Sequence, residues 1–127
     1  MFELDLKSRK SISEQIIDNI KELIVSDVLR AEEKLPSVRE MAGTLTVNPN
    51  TVQKAYSALE QQGYIYISPG RGTFVADARS INASPADVQE AEMHMRESIN
   101  KLFYLGMKRD EAEKLIKKIL DERSDWK

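Results

Sequence analysis

The sequence predicts a mainly α fold with a small β-hairpin, namely a winged helix-turn-helix followed by a two-helix tail. Three observations predict it. Two short helical segments, SVREMAGTL and NPNTVQKAYSALEQQG, follow each other across a turn between Leu35 and Gly63. A glycine-containing hairpin, YIYISPGRGTFV, comes directly after them. Beyond a polar stretch at Asp77–Ser84, two further apolar stripes recur at helical spacing. The expected units are residues 1–76 for the winged helix-turn-helix, 77–83 for a linker and 84–127 for the helical tail.

The first helix is expected over Ser11 to Ser26. Ile12, Ile16, Ile20, Leu23 and Ile24 recur at three- and four-residue spacing and form one stripe. Ser11 with Glu14 three residues on is a capping-box pattern, and Ser13 competes for the cap. Leu29 and Leu35 are expected to pack under this helix from a connecting loop. Pro36 restricts the chain, and Ser37 with Glu40 repeats the capping pattern for a short helix buried through Val38, Met41, Ala42 and Leu45. The run Gly43-Thr44-Leu45-Thr46-Val47 closes that helix and turns the chain. Asn48 caps the next one, and Pro49 fits its first position because the missing N–H has no partner there. Val52, Ala55, Tyr56 and Leu59 face inward, and Gly63 ends the helix. Tyr64 to Ser68 alternates as a strand, Pro69 to Gly72 turns, and Thr73 to Val75 returns. A two-stranded ribbon is marginal alone, so one side must pack on the helices. In the tail, Ser84 caps a helix with Pro85 first and Asp87 third, and Gly106 breaks it. A last helix is expected from Asp110, or a residue or two earlier.

Composition narrows the function classes. The chain has 127 residues, 41% hydrophobic and 31% charged, which suits a soluble globular protein. No apolar run approaches the ~20 residues that span a bilayer, so no membrane partner is expected. MFELDLKSRK has no apolar core of a secretory signal, and a cytoplasmic location is expected. There is no cysteine, hence no disulfide and no thiolate metal site. The formal net charge of −2 argues against a nonspecific cationic nucleic-acid coat. Residues 1–76 hold nine Lys/Arg against ten Asp/Glu, so any DNA-facing field must come from local arrangement. No nucleophile–base pair or phosphate-binding glycine loop stands out, and no enzyme and no cofactor are expected. His94 is the single histidine. Glu90, one turn before it, could share a site with it, but a surface or interface histidine is the favoured reading and no metal is expected.

The segments EKLPSVREMAGTLTVNPNTVQKAYSALEQQGYI and GRGTFV resemble the GntR family of bacterial transcription regulators. The short two-helix tail resembles the YtrA-like subgroup, in which it serves dimerisation. The resemblance implies a sequence-specific DNA-binding regulator, a homodimeric repressor of an operon, with transporter operons frequent in that subgroup. Family members often carry glycine near Asp27 and Glu32. Both positions are acidic here, which puts the turn geometry in question. Members also often have arginine where Pro49 or Asn50 stands, and the VNPNTV form looks like the YtrA-like variant.

Arg39 is the sharpest candidate for DNA contact. In the first turn of the short helix its guanidinium can pair with phosphate or with guanine O6 and N7. From the residues alone, a salt bridge to Glu40 or Glu60 is equally good. The resemblance favours DNA, since the arginine of the family's PSxRE motif contacts it. Ser37, Thr44, Thr46, Asn48, Asn50 and Thr51 form a polar rim able to hold phosphates, although capping alone accounts for Ser37 and Asn48. Gln53 and Lys54 extend the same face. Tyr56 either donates its hydroxyl to phosphate or only packs. At the wing tip, Gly70 and Gly72 permit a tight turn and Arg71 is placed to enter the minor groove.

The tail offers Val88, Ala91, Met95, Ile99 and Leu102 on one helix and Leu115, Ile116 and Ile119 on the other. Two such helices cannot bury both stripes against each other, so a second copy of the hairpin is the expected partner. The expected partners are therefore double-stranded DNA with an inverted-repeat operator and a second copy of the chain, with no small-molecule effector identifiable. The competing reading is a winged-helix adaptor or architectural protein that binds a protein partner.

Overall fold

The computed structural model describes residues 3–123, so the outermost residues of the expected units, 1–2 and 124–127, lie outside the described residues. Helix α1 (Ile12–Val25) starts at Ser11 and not Ser13, because the Ser11 hydroxyl oxygen accepts the Glu14 N–H at 3.1 Å. Ile16 and Ile20 are fully buried, with Ile12 and Ile24 packed at the margin. Gln15 lies buried beside them and clamps the preceding segment. Its Nε2 donates to the Asp5 and Lys10 carbonyls at 2.9 and 3.0 Å, and its Oε1 accepts the Asp5 N–H at 2.7 Å.

The loop after α1 differs from the expected coil. Lys34–Leu35 form a short strand, β1, ahead of α2 (Val38–Leu45) and α3 (Pro49–Gln61). With β2 (Ile65–Ser68) and β3 (Gly72–Val75) it makes a three-stranded antiparallel sheet in the order β1-β3-β2. The expected two-stranded ribbon is thus incomplete. Two residues are too few for alternation to register in sequence, and the strand exists only because β3 offers a free edge. Glu32 N–H donates to the Val75 carbonyl at 2.8 Å and Val75 N–H to the Glu33 carbonyl at 2.9 Å, which extends the pairing. Leu35 is then buried, together with Ile65 and Val75, against Met41, Ala42, Val52, Ala55, Tyr56 and Leu59. Each large aliphatic group so buried contributes about 1.5–3 kcal/mol. Lys34, Phe74 and Tyr66 are directly opposed across the three strands, so they share the other face.

α1 and α3 end in the same way. Asp27 N–H bonds to Ile24 O at 3.1 Å and Val28 N–H to Leu23 O at 2.9 Å, while Gly63 bonds to Glu60 at 3.0 Å and Tyr64 to Leu59 at 2.9 Å. This double bond requires a left-handed residue just past the helix, and Asp27 adopts it with φ 63°. Glu32 also sits at φ 74°. The acidic residues therefore keep the turn geometry that glycine favours and bear the strain of it. α2 spans the expected segment and ends in the same conformation. Gly43 lies within the helix, and the left-handed residue is Thr46, at φ 57°.

The expected linker at 77–83 is ordered in its first part. Ala78–Ser80 form a 3₁₀ turn capped by Asp77, and Asn82 N–H donates to the Gln62 carbonyl at 2.8 Å. A Cβ on Gly63 would meet the Ser80 carbonyl oxygen at 1.8 Å, so this approach needs glycine on steric grounds as well as for its φ of +81°. Compact units divide between Asn82 and Ala83.

The second unit holds α4 (Pro85–Tyr104) and α5 (Arg109–Asp121). Ser84 and Asp87 form a reciprocal capping box, and α4 closes at Gly106. Among the described residues of this unit only Ala112 is buried. Between the helices lies an open apolar groove of about 480 Å³, lined in part by Ala91, Met95, Ile99, Leu102, Leu115, Ile116 and Ile119. Val88 is outside that lining and exposed.

Replacing Asp27 by glycine is expected to stabilise the first unit by about 0.5–1 kcal/mol, because relief of left-handed strain exceeds the added chain entropy. Asp27→Val is expected to destabilise by more than about 1 kcal/mol, since a β-branched residue suits that conformation least. Urea unfolding of the two variants beside the parent checks both; equal midpoints for glycine and valine would refute the strain.

Candidate nucleic-acid interface

The site grows from the start of α2. The Ser37 hydroxyl oxygen accepts the Glu40 N–H at 3.1 Å, and the Glu40 carboxylate accepts the Ser37 N–H at 3.1 Å. The Ser37 backbone N–H, followed by its hydroxyl, holds the Glu40 carboxyl below the usual carboxylate range. Glu40 is thus engaged by the cap. Among the described residues Arg39 forms no ion pair with Glu40 or Glu60, and it stands exposed in the first turn.

Thr44 and Thr46 are exposed at the turn between α2 and α3. Asn48 caps α3 through Oδ1, which accepts the Asn50 N–H at 2.8 Å. Asn50, Gln53 and Lys54 are exposed and Thr51 is half-buried. Val52, Ala55, Tyr56 and Leu59 occupy the opposite side and are buried. Two periods of one helix thereby separate cleanly: one anchors it, and the other presents short amides, a hydroxyl and a cation. Gln53 Nε2 donates to the Ser57 hydroxyl at 3.1 Å, which adds Ser57 to the outer row. Its spacing four residues after Gln53 was the sequence signal for it.

Tyr56 is a correction. Its ring is 2% exposed and its hydroxyl donates to the Pro36 carbonyl at 2.7 Å. The proton expected for phosphate is committed to the backbone. Burial, aided by the Glu40 charge, pushes the phenol up to about 12. Tyr56 instead ties the entrance of α2 to the middle of α3, so the residues after Pro36 are positioned by the helix that packs beside them.

The wing tip is the turn Pro69–Arg71, in which Arg71 N–H donates to the Ser68 carbonyl at 2.9 Å. Gly70 lies in open space at φ +77°. Gly72 is favoured for the same reason, its φ of +131°, and a Cβ there would also displace the mobile end of Lys34, whose Cε lies 2.7 Å away. The Lys34 stem therefore crosses beside Gly72, the residue that follows Arg71 in the wing. Sequence reasoning missed Lys34 because it lies on the unforeseen β1. Its place two residues before Pro36 was the only hint.

The structure gathers Ser37, Arg39, Thr44, Thr46, Asn48, Asn50, Thr51, Gln53 and Lys54 on α2, the turn and α3, and joins Gly70, Arg71 and Gly72 to the same core through β2 and β3. The tail candidates belong to the second unit. There His94 lies 3.7 Å from Glu90 and 3.8 Å from Glu97, all exposed. Among the described residues no group of three or more His, Cys, Asp or Glu is placed to hold a metal ion, and no helix is long and apolar enough to cross a membrane.

Comparison with known proteins gives a consistent picture. The model of bacterial regulatory proteins of the gntR family matches residues 12–75. The chain is 34% identical over 119 residues to the HTH-type transcriptional repressor YtrA of Bacillus subtilis (strain 168), covering 94% of this chain and 92% of that protein. A crystal structure described as a transcriptional antiterminator from Listeria monocytogenes EGD-e superimposes with a TM-score of 0.78 at 42% identity, covering 94% of this chain and 89% of that one. YtrA from Sulfolobus acidocaldarius, a GntR-family transcription factor, aligns with a TM-score of 0.55 at 33% identity, over 95% of this chain and 97% of that one.

Tyr56→Phe is expected to cost about 1 kcal/mol, since it removes one hydrogen bond and leaves a carbonyl without its partner. The pH dependence gives the sign. The folded phenol is pushed up to about 12 from the ordinary tyrosine value of about 10, so this contribution is full below pH 10 and is lost as pH rises toward 12. Stability of parent minus Y56F, measured from pH 8 to 11.5, is expected to shrink above pH 10. A constant difference would refute the buried, donating hydroxyl.

Proposed function

This chain belongs to the gntR family of bacterial regulatory proteins and is a DNA-binding transcription regulator, not an enzyme; we propose that it works in the cytoplasm as a homodimeric repressor on an inverted-repeat operator. The observation that carries the reading is α3, anchored inside by Val52, Ala55, Tyr56 and Leu59 while Asn50, Gln53 and Lys54 stand outward. A helix so divided fits the major groove, with its first residues toward base edges. Arg39 meets guanine or phosphate from α2. Ser37, Thr44, Thr46, Asn48 and Thr51 hold the backbone on either side, and Arg71 reaches from the wing toward the minor groove.

In this reading residues 1–76 bind DNA, 77–83 connect and 84–127 dimerise. The open groove between α4 and α5 supports the last role, because its apolar lining is left uncovered by the described residues of its own unit. Two recognition helices then address half-sites about one helical turn apart. The Bacillus subtilis relative is a transcriptional repressor, which supports repression by operator occupancy. Family membership leaves the adaptor reading without support.

Selection of bound sequences from random DNA tests the proposal, with enrichment of an inverted repeat expected. No preference over competitor DNA would overturn it. On the selected operator, Arg39→Ala is expected to cost ~1–3 kcal/mol if the guanidinium holds a base. If it holds phosphate alone, the loss is similar on all sequences and the salt slope drops by about 1. Unchanged affinity in folded R39A would remove Arg39 from the interface.

The parent chain is expected to sediment as a dimer at micromolar concentration. Met95→Glu, at a groove position 60% exposed in one chain, is expected to give a folded monomer with weaker operator binding. A parent monomer at that concentration would end the dimer reading.

A further inference from the structure

We propose that Phe74 and Tyr66 are positioning residues for DNA binding, whose stacked rings hold the Arg71 guanidinium in the orientation in which it meets the duplex. The inference rests on the wing being a DNA contact, as proposed above, and adds what makes that contact effective.

Gly70 beside Arg71 lies in open space and offers the arginine no side chain to pack on. Freezing it on binding costs side-chain entropy, and prior restraint removes part of that cost. The restraint lies on the outer face of the sheet. The Arg71 guanidinium carbon is 5.7 Å from the centre of the Phe74 ring, within cation–π range. The Phe74 and Tyr66 rings stack at 5.6 Å with 24° between their planes. At the far end the Tyr66 hydroxyl donates to the Glu32 carboxylate. Glu32 is itself fixed to β3 by its N–H on the Val75 carbonyl at 2.8 Å. A continuous series of contacts therefore runs from the wing tip to the base of the sheet.

The core does not account for these rings. Ile65, Val75 and Leu35 line the buried face, whereas Tyr66 is exposed and Phe74 only half-buried on the other. Two aromatic rings kept near water on a short ribbon fit a role in holding the cation beside them.

The test uses the full chain and one operator core with A·T-rich or G·C-rich flanks at fixed salt. Affinities are measured for the parent, R71A, F74L, F74Y and the R71A/F74L double variant, with thermal unfolding of each. F74L is expected to weaken binding on A·T-rich flanks roughly three- to tenfold, the range of a partly desolvated cation–π contact. F74Y is expected to retain parent affinity, and the double variant to be no weaker than R71A. Tyr66→Leu, which takes away the supporting ring without touching the tip, is expected to show the same loss of flank preference in smaller measure. It serves as the second probe if F74L melts early. If R71A loses the flank preference but F74L and Y66L keep it, or if the R71A and F74L losses add, the positioning role is refuted while the wing contact stands. If R71A itself equals the parent, the wing contact fails and the inference fails with it.

Discussion

The hydrogen bond from the Tyr56 hydroxyl to the Pro36 carbonyl constrains the rest of the DNA-binding unit. A phenol 2% exposed must place its polar end somewhere. It finds the backbone just ahead of the Ser37 cap, at 2.7 Å. The same residue belongs to the apolar row that seats α3. One side chain therefore fixes both the depth of the recognition helix and the point from which α2 departs. Arg39 follows two residues after the cap, so its approach angle is inherited from that bond and not from any contact of its own.

Charge is managed in the same local way. A chain of net charge −2 has no general attraction for a polyanion. Two carboxylates lie close to the cations expected on DNA, and both accept hydrogen bonds from the protein. Glu40 accepts the Ser37 N–H, and Glu32 accepts the Tyr66 hydroxyl. Lys34 and Arg71 meanwhile converge on the outer wing face, one across Gly72 and the other over Phe74. Favourable potential at the site thus comes from how a few side chains are held, with no surplus of basic residues.

The second unit follows a different economy. Among its described residues only Ala112 is buried, while Met95 and Ile119 are more than half exposed. Capping at Ser84 and the turn at Gly106 specify the two helices locally. Their apolar faces lie open among the described residues, and the proposed dimer is what would cover them.

The first four α-helices were legible in the sequence because each carries its own start signal, while α5, which lacks a side-chain cap, was legible only through its apolar spacing. Ser11, Ser37, Asn48-Pro49 and Ser84-Pro85 mark beginnings, and apolar residues at helical spacing mark the buried sides. The polar rim from Ser37 to Lys54 and the wing arginine were legible for the same reason, since turn chemistry and helical period place them. What depended on a distant partner was not legible. β1 exists only as the edge partner of β3, so Lys34 gained a place beside the wing that two residues of sequence cannot announce. Gln15 binds backbone atoms of an upstream segment, and backbone has no sequence signature. Asp27 and Thr46 adopt left-handed conformations within the local hydrogen bonds that end α1 and α2, and Glu32 does so where its N–H pairs with the Val75 carbonyl, each against a strain of about 1 kcal/mol. Tyr56 read equally as core or contact until the Pro36 carbonyl was seen beside its hydroxyl. Local periodicity and capping chemistry, which need no partner, were decided by the sequence itself; the third strand, the place of Glu32 on it and the direction of the Tyr56 proton were decided by atoms far along the chain, which only the folded arrangement brings within bonding distance.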